Sequence, residues 1–144
     1  MKVMVIVKGT PADEGRTPTT ELLEAMTAYN ERLVKAGIML DGAGLKPTAH
    51  GAKIVFRGGT TSVVDGPFTE AKEIIGGYWI WQVSSLEEAV EWAKQCPTDP
   101  SGAYGALEIR PFAEDEDFGD ALTPELKERE ARMAEQLRAQ RGEA

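Results

Sequence analysis

Two spacings of apolar residues alternate along this chain, one repeating every two positions and one every three to four. Their order predicts the elements. Val3–Val7 (VMVIV) is a continuous, β-branched run of strand length, apolar on both faces. Thr17 and Pro18 supply an N-cap and first-turn proline for a helix whose Leu22, Met26, Tyr29 and Leu33 recur at helical spacing. Gly37 stops that helix. Ile38–Leu45 (IMLDGAGL) starts as a strand and loosens at Gly42 and Gly44, where glycine signals a bulge or the close approach of another group.

Lys53–Arg57 and Thr60–Val64 are β-rich segments joined by Gly58-Gly59, a two-residue hairpin signal. Asp65-Gly66-Pro67-Phe68 breaks the second strand, and Thr69–Ile75 is expected to form one or two helical turns. Tyr78–Val83 (YWIWQV) is a further strand with bulky residues on both faces. Ser84 and Glu87 form a capping box for a helix lined by Leu86, Ala89, Val90 and Ala93, which Pro97 ends. Ala106–Arg110 closes the core. An acidic, Gly-containing linker, Glu114–Asp120, leads to a last helix opened by Thr123-Pro124 and running to Gln140.

With the hairpin set aside, the order is strand, helix, strand, strand, helix, strand. This predicts an α+β fold, ferredoxin-like β-α-β-β-α-β with an inserted β-hairpin, plus a C-terminal helix. Both helices of that arrangement cover one sheet face. VMVIV and YWIWQV are apolar on both faces, so the second face also needs a cover. A second copy supplies it economically, giving a homodimer with an isologous interface, the dimeric α/β barrel. The competing cover is the chain's own C-terminal helix folded back.

Length and charge narrow the function classes. The 144 residues suffice for one ordinary core. A formal net charge of −8 repels a phosphate backbone, so nucleic acid is not expected as a partner. Cys96 is the sole cysteine, which excludes an internal disulfide and a Cys-rich zinc site. The apolar run at the start is too short for a signal sequence or a membrane span, so a cytoplasmic protein without membrane partners is expected. No phosphate-loop, GxSxG or HExxH pattern occurs, and the acidic linker lacks EF-hand spacing. No metal or cofactor is expected.

At Asp65–Glu73 the sequence DGPFTEAKE resembles the signature of the YCII-related, or DGPF, family. Ordered landmarks agree with it: MKVMVIVKG, a helix ending in Ala36-Gly37, DGAGLKP, the hairpin, GGYWIWQV, SLEEAVEWA and EIRPF. The resemblance covers the first 112 residues and sets residues 113–144 apart as an acidic linker and helical extension. It implies a ferredoxin-like protomer in a dimeric barrel, with a cleft beside the sheet where many relatives bind or transform small molecules. No settled reaction comes with it, and the proximity of some members to extracytoplasmic-function sigma factors implies a regulatory setting. Relatives carry a His on the first helix and an Asp on the next strand, proposed as an acid–base pair. Met26 stands at that helix position here, and a thioether does not exchange protons.

Five residues are candidates for chemistry. Asp65 is either a turn cap for nearby N–H groups or a general base. His50 is the only imidazole, the side-chain type suited to moving protons near neutrality, and lies in a loop where it could equally be solvated. Asp41 stands beside the glycine-interrupted strand; Tyr29 could line a pocket or belong to the core; Arg110 could hold an anion or an ion pair. Two readings follow. One is a small-molecule cleft near Asp41, His50 and Asp65, catalytic or not. The other is a non-catalytic regulatory module, with a filled cleft, Asp65 tied to backbone amides, and an exposed stripe at Leu126, Met133 and Leu137.

Overall fold

The computed structural model describes residues 1–143 and divides at Phe112 into two compact units. In the first, strands β1 (Lys2–Gly9), β2 (Met39–Gly44), β5 (Ile74–Gln82) and β6 (Ala106–Pro111) form one antiparallel sheet in the order β2-β5-β1-β6. Helices α1 (Thr20–Lys35) and α2 (Leu86–Ala93) complete the ferredoxin-like order, and β3 (Ala52–Arg57) and β4 (Thr60–Asp65) form a separate two-stranded ribbon. Gly58 and Gly59, both at positive φ, make its turn.

Alternation along β1 and β5 decides where the core sits. Val3, Val5, Trp79 and Trp81 are buried against Tyr29 and Leu33 of α1 and Ala89 of α2, so both helices cover one face. Tyr29 meets Trp79 edge-on at 5.9 Å between ring centres, and its hydroxyl donates to the Trp92 carbonyl at 2.7 Å, tying α1 to α2. Met26 packs at the edge of this core.

The opposite face carries residues of the other parity. The register puts Asp41, Ile80, Met4 and Arg110 in one row across the sheet. Ala43, Tyr78, Ile6 and Glu108 form the next. Apolar residues thus fill the centre of each row, and Asp41 and Arg110 stand at opposite edges.

Three local expectations are corrected. The first helix is capped by Thr19, whose Oγ1 accepts from the Leu22 N–H at 3.2 Å, not by Thr17. In α2 the cap is Ser85, because the Val83 N–H still belongs to the sheet and donates to the Met1 carbonyl. Glu88, one place after the expected Glu87, then reaches back to the Ser84 hydroxyl at 2.8 Å. Thr69–Ile75 makes no helix: Ile74 and Ile75 pair with Gly9 and Lys8, and the sheet claims them. Gly77 is required where β5 meets β2, since a Cβ there would lie 2.9 Å from the Ala43 carbonyl oxygen.

In the second unit, 3-10 turns over Asp115–Ala121 break at Gly119 (φ 59°) and lead to α3 (Pro124–Gln140), capped by Thr123. Among the described residues no helix is long and apolar enough to cross a membrane.

Candidate functional site

Thr48 organises the loop between β2 and β3. Its N–H and hydroxyl donate to the two carboxylate oxygens of Glu14, both at 2.7 Å. The same Oγ1 accepts from the Phe68 N–H at 3.1 Å, and the Gly66 N–H donates to the Gly51 carbonyl at 3.0 Å. The Asp65–Phe68 turn is thereby clamped onto the loop. A side chain at Gly66 would collide with the Thr48 carbonyl, so the motif's glycine is a close-packing requirement.

This clamp leaves a cavity of about 510 Å³ between the loop and the start of β5. Leu45, Phe68, Ala71, Ile74 and Ile75 make its wall mostly apolar. Lys46, His50, Lys53 and Glu73 place polar groups on the same wall. The Lys53 ammonium lies 4.3 Å from the Phe68 ring centre, within cation–π range.

Glu73 begins a charged chain that runs from the cavity to the sheet face away from the helices. Its Oε2 accepts from the Tyr104 hydroxyl at 2.7 Å, and its Oε1 lies 3.5 Å from Lys8 Nζ. Lys8 bonds more closely to Glu108 at 2.7 Å, and Glu108 in turn meets Arg110 at 3.4 Å. The Tyr104 hydrogen bond, followed by the Lys8 charge, holds the Glu73 carboxyl below the usual carboxylate range. Lys8, then Arg110, does the same for Glu108. A carboxylate held ionised in this way is a weak proton acceptor.

Of the five nominated residues, the cavity wall includes His50 alone. Among the described residues its ring has no hydrogen-bonding partner. Asp65 is exposed and does not cap its turn: the amides it could have served donate to Gly51 and Thr48 instead. Asp41 accepts from its own neighbour's N–H, at Gly42, at 2.8 Å. Tyr29 is fully buried, and burial drives its phenol pKa upward, which makes it a core residue. Arg110 is in an ion pair with Glu108.

Glu73 and Thr48 escaped sequence reasoning. Glu73 lies in the Thr69–Ile75 segment expected to be helical, and Thr48 carries no local pattern. Burial pushes the Cys96 thiol up, away from the reactive thiolate. Among the described residues no group of three or more His, Cys, Asp or Glu could hold a metal ion.

The model of the YCII-related domain matches residues 1–113. The chain belongs to the YCII-related family. Uncharacterized protein R00369 of Rhizobium meliloti (strain 1021) is 33% identical over 92 residues, which cover 64% of this chain and 73% of that protein. A looser likeness joins the YCII-related chain to 5-chloro-2-hydroxyhydroquinone dehydrochlorinase (TftG) from Burkholderia phenoliruptrix AC1100, solved in complex with 2,5-dihydroxybenzoquinone. It has a TM-score of 0.44 and 18% identity, covering 81% of this chain and 98% of that one, too distant to carry function across. Met26 is a thioether at the core's edge and exchanges no proton, and Asp41, within β2, accepts only from the next residue's N–H.

Proposed function

We propose that this YCII-related protein binds a small molecule in the cleft between the Lys46–Gly51 loop and the start of β5. The observation that carries the reading is the cavity of about 510 Å³, apolar in most of its wall and lined also by Lys46, His50, Lys53 and Glu73. The lack of an oriented base favours binding over turnover, so Asp65 and His50 are not assigned catalytic roles. His50 is a ligand contact in this reading, and Asp65 is not.

The neutral fluorophore N-phenyl-1-naphthylamine tests the cleft directly. Its fluorescence should rise on binding, and Ala71→Trp, which fills the cavity, should abolish that rise while leaving the circular dichroism intact. A rise unaffected by Ala71→Trp would sink the cleft reading.

The functional unit proposed is a homodimer joined through the open sheet face. Met4, Ile6, Tyr78 and Ile80 make that face an apolar patch, and a monomer would leave it facing water. A copy turned over about an axis along the strands would bring Asp41 of each protomer against Arg110 of the other, a charge complementarity suited to an isologous contact. Sedimentation equilibrium should give a dimer for the native chain and a folded monomer for Ile80→Asp. A native monomer at tens of micromolar would refute this contact.

One observation favours the interaction-module reading. Ile54 (52% exposed), Phe56 (78%) and Val63 (64%) share one face of the hairpin ribbon, and Leu126, Met133 and Leu137 of α3 are also exposed. Against it stand the open cleft and the absence of any amide held by Asp65.

A further inference from the structure

We infer that the cleft's ligand is an anion: an apolar body carrying one carboxylate- or sulfonate-type group, received by Lys46 and Lys53. This deepens the proposal of a small-molecule cleft and rests on it.

The charge distribution carries the argument. The chain has 24 acidic residues against 16 Lys and Arg, so an unpaired cation is surrounded by candidate counterions. Lys8, Arg16, Lys94 and Arg110 have found one, while most other Lys and Arg side chains among the described residues stand unpaired at the surface. What sets Lys46 and Lys53 apart is their place: neither ammonium has a carboxylate within ion-pairing distance among the described residues, and both line the same apolar cavity.

Two acids at or beside the cleft wall are already engaged. Glu73 is held by Tyr104 and Lys8, and Glu14 by the Thr48 N–H and hydroxyl. The Phe68 ring supports the Lys53 ammonium over an apolar surface while leaving N–H groups free to meet a ligand. His50 lies on the same wall and can add a ring N–H.

Rival ligand charges fit less well. A cation would face two ammonium groups and find a single lining carboxylate, Glu73, with both oxygens in use. A neutral apolar molecule would cover the lysines without giving either a partner, which costs the desolvation of charge. An anion with an apolar body satisfies the wall and the cations together.

A matched pair of dyes separates charge from shape. 8-Anilinonaphthalene-1-sulfonate has the skeleton of N-phenyl-1-naphthylamine plus one sulfonate. The native protein should bind the sulfonate more tightly. Lys46→Gln and Lys53→Gln should each weaken it about three- to fivefold, the scale of a partly exposed ion pair, without changing the neutral dye's affinity. Lys53→Arg should restore it. Raising salt from about 20 mM to about 0.5 M should bring the two dyes' affinities together.

If both dyes bind, both are blocked by Ala71→Trp, and neither lysine nor salt affects the sulfonate, the anion inference is overturned and the cleft survives. If Ala71→Trp blocks neither dye, the cleft reading falls first and this inference falls with it.

Discussion

Gly66→Ala isolates what holds the DGPF turn in place. A methyl group at this position would run into the carbonyl of Thr48, and the obstacle is backbone that no rotamer change can clear. Either the loop or the turn must therefore shift. That movement disrupts two hydrogen bonds, Gly66 N–H to the Gly51 carbonyl at 3.0 Å and Phe68 N–H to Thr48 Oγ1 at 3.1 Å. Two such bonds contribute roughly 1 kcal/mol each, and overpacking adds about 1–3 kcal/mol. The stiffer unfolded chain of the alanine variant offsets about 0.4–1 kcal/mol. A net loss of about 3 kcal/mol follows, a fall in melting temperature on the order of 10 °C for a unit of this size.

The partner experiment is Asp65→Ala. Its carboxylate holds neither turn amide, so the expected change is within about 0.5 kcal/mol. Thermal unfolding followed by far-ultraviolet circular dichroism reads both variants. A Gly66→Ala protein melting with the native chain, beside an Asp65→Ala protein that melts far earlier, would reverse the assignment of roles within the motif.

Tyr29→Phe removes the bond from α1 to the Trp92 carbonyl and should cost about 1–2 kcal/mol by urea unfolding, whereas an unchanged midpoint would mean that the bond contributes nothing. Glu73 and Glu108 are held below their ordinary value of 4.5, so the stability they add is present above that pH and is lost as pH falls through their folded values. Lys8→Met removes the leading cause at Glu108, and its stability should fall less steeply below pH 4.5 than the native protein's; equal slopes would exclude Lys8 as the cause. Because the chain divides at Phe112, a protein ending there is expected to keep the native melting of its core, and its failure to fold would make the extension part of that core.

Local patterns determined much of this protein. The both-face apolarity of VMVIV and YWIWQV made them central strands, because side chains alternate every two residues. Leu22, Met26, Tyr29 and Leu33 could share a face only on a helix, and Gly58-Gly59 could join its flanking strands only as a tight turn. Element order then led to the ferredoxin-like sheet, and the resemblance of DGPFTEAKE and its ordered landmarks to a known signature led to the family.

The site was decided by partners distant in sequence. Thr48 is governed by Glu14, 34 residues before it, and Phe68, 20 after it. Asp65 looks like a cap locally, but Gly51 and Thr48 take the amides it would have held. Glu73 reaches the cavity because pairing with β1 draws the following isoleucines into the sheet and prevents a helix. Side-chain periodicity is written in neighbouring residues and can be read from them. Which carboxylate meets which donor depends on strand register and loop docking, and only the tertiary structure sets those.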